Sequence, residues 1–97
     1  MRVVWSDDAV ADLRAISEYI ERDRSLATAN KIVRRIYRDV QGLATMPHGG
    51  RPGRVEGTRE LVLAPLPYIV IYRIFPERLL VLSVVHGAQM WPKTPLL

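Results

Sequence analysis

A chain of 97 residues has room for one domain, 1–97, with one modest core, and a hydrophobic fraction of 48% excludes a disordered chain. Cysteine is absent, which excludes a disulfide framework and a thiolate metal site and suits a reducing cytoplasm. The net charge is +4, and 12 of the 14 basic residues are arginines, whose planar guanidinium suits bidentate contact with phosphate or carboxylate. A plain solvated basic surface accounts for the same composition equally well.

The opening MRVVWSDDAV has no long apolar run of the kind a secretory signal carries. Residues 79–85, broken by Ser83, form the longest strongly apolar stretch, far too short to span a membrane. The expectation is a cytoplasmic protein with no membrane partner.

In chain order, Arg2 to Trp5 is rich in Val and Trp and reads as a short strand. Ser6 followed by Asp7 and Asp8 is a helix N-cap with acids in the first turn. Ala9, Leu13, Ile16 and Ile20 recur at helical spacing, so the first helix should run to about Asp23. Ser25 caps a second helix with an apolar stripe of Ala29, Ile32, Val33, Ile36, Val40 and Leu43. Its other faces carry Lys31, Arg34, Arg35, Arg38 and Asp39. Two helices separated by so few residues must fold back as an antiparallel hairpin.

From Met46 the pattern changes. MPHGGRPGRVEG is too rich in Gly and Pro for a helix, and the segment reads as a loop. Three strand-like segments follow, at 58–64, 67–75 and 79–85, joined so closely that they must pair antiparallel. The predicted fold is therefore α+β: an N-terminal strand, an antiparallel helical hairpin and a three-strand antiparallel meander, with the helices on one face of the sheet.

Alternation puts Tyr68, Val70 and Tyr72 on one face of the middle segment, and Ile69, Ile71, Arg73 and Phe75 on the other. In the last segment Leu80, Leu82 and Val84 oppose Leu79, Val81, Ser83 and Val85. Both faces are apolar, and two helices cover only one. The second face either meets a partner or is covered by strand twist and the C-terminal tail.

Three motifs stand behind the helical hairpin in fixed order: GTREL at 57–61, PYIVIYR at 67–73 and HGAQMWP at 86–92. Together they resemble the RelE/ParE superfamily of type II toxins, and its ParE-like members in particular, over essentially the whole chain. The resemblance implies a growth-arresting toxin neutralised by a cognate antitoxin encoded beside it. An antitoxin segment packing on the toxin would suit the apolar second face, and acidic antitoxins would suit a basic toxin. Operator DNA would be bound only through the antitoxin. ParE-like members poison DNA gyrase, whereas RelE-like members enter the ribosome and cut mRNA without a metal. Neither branch implies a cofactor, and a shared scaffold does not separate them.

Cleavage at a 2′-hydroxyl needs a base, cations for the phosphorane charge and an acid for the leaving oxygen. The RelE-like candidates are His86, Arg59, Glu60 and Arg73. An imidazole is a side chain of the type that serves as acid or base, but His86 also reads as a hydrogen-bonded strand-end residue. Arg59 and Glu60 are either a phosphate clamp and base or ordinary cross-strand pairing residues. RelE-like nucleases tend to carry a basic residue after the aromatic that opens the third segment; here Ile69 follows Tyr68, which points to the ParE-like branch. Arg73, among apolar neighbours, calls for an acidic or phosphate partner. Ile69, Ile71, Arg73 and Trp91 are the candidate partner-binding residues, although Met90 and Trp91 equally fit a tail packed back on the sheet. Arg51 and Arg54 read as solvated loop arginines or backbone contacts to nucleic acid, and His48 has no assigned role. Two histidines 38 positions apart with no acidic cluster make a metal site unexpected. A third possibility is a chain that binds its antitoxin but has lost its target activity.

Overall fold

The computed structural model describes residues 1–87 and Trp91. Its elements are β1 (Arg2–Trp5), α1 (Asp7–Asp23), α2 (Leu26–Gln41), β2 (Arg51–Pro52), β3 (Arg59–Val62), β4 (Tyr68–Ile74) and β5 (Arg78–His86). The helical hairpin packs on one face of a five-stranded mixed sheet with the order β1-β5-β4-β3-β2.

Both helices begin where a serine can satisfy an open backbone amide. Ser6 Oγ accepts from the Ala9 N–H at 3.0 Å, and Ser25 Oγ accepts from the Thr28 N–H at 3.1 Å. Ser6 also ties the helix to the sheet, because its N–H donates to Val81 O and its hydroxyl to Leu82 O. Ala9, Ile20, Ala29, Ile36 and Val40 are buried between the layers, with Leu13, Ile16 and Ile32 packed against them. Leu43 joins the same core from a 3-10 turn just past the end of α2. Val33 does not join it; with Val10 and Leu13 it lines a shallow recess on the helix layer.

The meander pairs antiparallel, as its short connections require, and β1 adds to it in parallel alongside β5. The register is set by the hydrophobic pattern: Val3 lies beside Leu79 and Trp5 beside Val81, so all four face the helices. Trp5 also stacks on Tyr37 of α2 with ring centroids 6.3 Å apart.

Three expectations need correction. The Gly/Pro segment is not wholly loop, since it holds a 3-10 turn at Pro47–Gly49 and the two-residue strand β2. A strand that short is stabilised by its pairing with β3 and has no hydrophobic alternation to reveal it. The facing residues of β5 also differ from simple alternation. Pairing steps from Ile71–Ser83 to Tyr72–Val81, so β5 carries one extra residue at this bulge. Val84 therefore joins Leu79 and Val81 on the helix-covered face instead of opposing them. Finally, the second face is less open than expected: Ile71 is only 2% exposed, flanked across the strands by Glu60 and Ser83, themselves buried. Val62 remains exposed on that face, with Val4, Ile69 and Leu80 half-buried.

Candidate functional site

The side chains that the sequence singled out fall at two separate ends of the sheet. At one end, β3 and β4 organise the Gly/Pro segment. Glu60 accepts from Arg51 Nη2 at 2.9 Å and Nε at 3.2 Å through one oxygen, and from the Arg54 N–H at 3.1 Å through the other. Arg59 donates to the carbonyls of Gly50 and His48. Tyr72, fully buried, accepts from the Gly50 N–H at 2.9 Å and donates to Pro47 O at 2.7 Å. A Cβ at Gly50 would stand 2.7 Å from both Glu60 O and the Tyr72 hydroxyl, so only glycine allows this approach.

Arg73 lies over Gly57, whose φ of 82° is the turn conformation that glycine adopts without strain, and donates to Glu56 O at 3.3 Å. The Nε atoms of Arg59 and Arg73 are buried without a hydrogen-bond partner among the described residues. Arg73 is thus held against a turn, with no carboxylate partner among the described residues, and does not stand on an open apolar face. Beside Arg59 is a recess of about 300 Å³ lined by His48, Pro52, Gly57, Thr58, Arg59 and Ile74. The clamp corrects one assignment, since Arg51 is ion-paired to Glu60; Arg54 lends only its backbone N–H there and its side chain is exposed, as a solvated loop arginine should be.

The electrostatics of Glu60 follow from those contacts. Burial is the largest single influence and pushes its pKa up. The Arg54 N–H, the Arg51 hydrogen bond and the charges of both arginines outweigh it together, holding the carboxyl below its ordinary value of 4.5. A carboxylate so firmly ionised and so fully hydrogen-bonded is a weak proton acceptor at neutral pH.

His86 occupies the other end. It pairs across from Tyr68, and the two rings meet edge to face with centroids 6.0 Å apart. Ala15, Ile16, Tyr19 and Pro67 complete a recess of about 510 Å³ around them. Burial, with a smaller contribution from Tyr19, pushes the Tyr68 phenol above its usual range, so it remains a neutral hydroxyl. Arg73 lies five residues along β4 from Tyr68, which at roughly 3.4 Å per residue separates it from the His86 position by about 17 Å. The structure therefore brings Arg59, Glu60 and Arg73 to one end of the sheet and leaves His86 at the other.

Ile69 sits across from Val62 and Val85, so the position after Tyr68 belongs to an apolar patch. Trp91 is half-buried, and Met90 lies outside the described residues. Among the described residues, no three His, Cys, Asp or Glu side chains are grouped to hold a metal ion. No helix among them is long and apolar enough to cross a membrane.

Two features escaped the sequence reading. The Tyr72 hydroxyl was signalled only by the rule that a buried phenol needs a partner. A groove between α2 and the β3–β4 turn joins Ile32 to Leu66, residues 34 positions apart, and no local pattern connects them.

A helical hairpin on a five-stranded mixed sheet, with this apolar patch beside β4, is the build of a RelE/ParE superfamily toxin, and the comparisons with known proteins agree. The family model for the ParE toxin of the type II toxin-antitoxin system, parDE, matches residues 3–91. A protein from Sinorhizobium fredii named as toxin Y4kP is 46% identical over 92 residues, covering 95% of this chain and 94% of the relative. Toxin RelE2 of Caulobacter vibrioides is 34% identical over 89 residues, covering 92% of this chain and 98% of its own. A solved structure described as the chromosomal ParDE TA system from P. aeruginosa superposes with a TM-score of 0.84 at 28% identity, covering 89% of this chain and 95% of that one. The chain belongs to the ParE toxin family of type II toxin–antitoxin systems.

Proposed function

We propose that this toxin arrests bacterial growth by binding and poisoning DNA gyrase, and that it has no nucleolytic chemistry of its own. The observation that carries this reading is the separation of His86 from Arg59, Glu60 and Arg73 along β4. By register Glu60, Arg59 and Arg73 lie three, four and five residues along the ladder from the His86 position, roughly 10, 14 and 17 Å, and a single scissile phosphate cannot bring His86 and Arg73 within hydrogen-bond reach together. The salt-bridged Glu60 and the apolar Ile69 support the same reading.

The toxin would pair with a cognate antitoxin, consistent with the chromosomal ParDE toxin–antitoxin system of the structural relative, and would act in the cytoplasm. The antitoxin would lie on the second sheet face, against Ile69, with the buried Ile71 beneath it and with Trp91 and the turn-held Arg73 at its margin. Operator DNA would be contacted through the antitoxin alone.

A second reading, ribosome-dependent mRNA cleavage, draws on the RelE2 name of the Caulobacter relative and on the three charged residues gathered at one end of the sheet. Pulse-labelling of DNA and protein synthesis, within minutes of inducing the chain without its antitoxin, separates the two. Early arrest of DNA synthesis with translation continuing is the expected result. Early collapse of translation with DNA synthesis persisting would sink the gyrase reading.

A further inference from the structure

We propose that the groove between α2 and the β3–β4 turn engages the inhibited target, and that its occupant is an acidic segment of that target carrying an apolar anchor residue. This rests on the reading of the chain as a protein-binding toxin. The groove encloses about 620 Å³. Ile32 and Leu66, both half-buried, contribute apolar surface, and Lys31, Arg34, Arg35 and Arg38 supply the charge.

The four cations stand at i, i+3, i+4 and i+7, which places them along one side of the helix. Arg35 is anchored by Asp39 at 3.5 Å and by the carbonyls of Leu63 and Ala64, at 3.3 and 3.1 Å. Arg38 reaches the same carboxylate only at 3.9 Å, with its side chain 77% exposed. Lys31 and Arg34 have no ion pair among the described residues. Like charges at i,i+4 on a helix repel, and while Asp39 offsets this for Arg35 and in part for Arg38, no ion pair among the described residues offsets it for Lys31 and Arg34. Carboxylates from a partner would reverse the sign of that interaction.

The apolar surface decides between peptide and nucleic acid. A phosphate backbone needs cations alone, whereas Ile32 and Leu66 offer burial to a hydrophobic side chain. An acidic antitoxin would suit these cations too, and what assigns the groove to the target is that the antitoxin already has the apolar sheet face. A long-lived partner suits the apolar sheet face, while a charged rim favours rapid, salt-sensitive encounter with a partner met only on release.

The test is the double charge reversal R34E/R38E, at exposed positions whose loss leaves the core intact. Four properties are compared with the unaltered chain: thermal unfolding, growth arrest on induction, binding to the protein encoded by the neighbouring antitoxin reading frame, and binding to purified gyrase at low and high salt. The expected result is unchanged unfolding and antitoxin binding, with growth arrest lost and gyrase affinity down about tenfold or more. Growth arrest at full strength would overturn the proposal, as would loss of antitoxin binding with arrest retained. Weakened binding to ribosomes or single-stranded RNA, with gyrase affinity unchanged, would also overturn it by making the groove a nucleic-acid surface. If the unaltered chain binds no gyrase, the gyrase reading falls, while arrest by the variant still judges the groove. R34Q/R38Q, which adds no carboxylate near Asp39, should show the same pattern with a smaller loss and serves if the reversal unfolds the chain.

Discussion

The carboxylate of Asp12 in α1 accepts a hydrogen bond from the backbone N–H of Val84 in β5 at 3.0 Å, across 72 positions of sequence. The same oxygen accepts from the Ser83 hydroxyl. β1 ends at Trp5, opposite Val81, so β5 continues beyond its parallel neighbour. Asp12 supplies the acceptor that a longer β1 would have supplied. Asp12→Ala should therefore leave a partly buried amide and hydroxyl without this partner and lower stability by about 1–3 kcal/mol. Urea unfolding measures the loss, and hydrogen exchange should locate it at Val84. Exchange at Val84 unchanged from the parent would refute the assignment.

Tyr72 makes a comparable link between the core and the Gly/Pro segment. Tyr72→Phe keeps the ring but removes both the acceptor for the Gly50 N–H and the donor to Pro47 O. The expected destabilisation is about 1–3 kcal/mol, with protection lost first at Gly50. A neutral effect in chemical denaturation would mean that Arg59, the Glu60 clamp and the β2–β3 pairing hold the turn without it.

Glu60 should make stability depend on pH in the acid range. Its folded pKa is lowered, so the contribution is fully present above the unfolded value near 4.5 and disappears as pH falls through the folded value. Denaturation midpoints should drop below about pH 4.5 in the parent. Glu60→Gln should flatten that part of the profile and leave a less stable protein at pH 7. Identical profiles for the two proteins would exclude the Arg51–Glu60 clamp as a source of stability.

His86→Ala bears on the proposed mechanism. The edge-to-face contact with Tyr68 is worth about 0.5–1.5 kcal/mol, so the variant should fold. Growth arrest should persist within a few-fold of the parent. Loss of arrest by orders of magnitude in a folded variant would revive the catalytic reading.

The apolar patch around Ile69 bears on the proposed antitoxin. Ile69→Glu introduces a carboxylate beside Val62 and Val85 and should weaken antitoxin binding at least about tenfold, the order expected for an unpaired charge at an interface. Calorimetric titration against the antitoxin would read the change, with circular dichroism confirming the fold. Unaltered affinity would move the interface off this face.

The sequence alone determined the local elements. Ser6 and Ser25 mark the helix starts, because a side-chain oxygen must serve the first open amides, and the stripes of Ala9, Ile20, Ala29, Ile36 and Val40 mark the buried sides. The short connections around Pro65 and Pro76 required an antiparallel meander. Its three motifs were also sufficient to place the chain in its superfamily.

Only tertiary structure decided which of those residues meet. The bulge that turns Val84 to the core depends on matching β5 to β4, and a one-residue slip is invisible to alternation. The parallel seat of β1 beside β5 and the two-residue β2 arise from long-range pairing, with no local signal. His86, Arg59, Glu60 and Arg73 looked like one constellation because each is a plausible catalytic type. Strand register sets His86 apart from the other three, since every residue along an extended strand adds about 3.4 Å of separation.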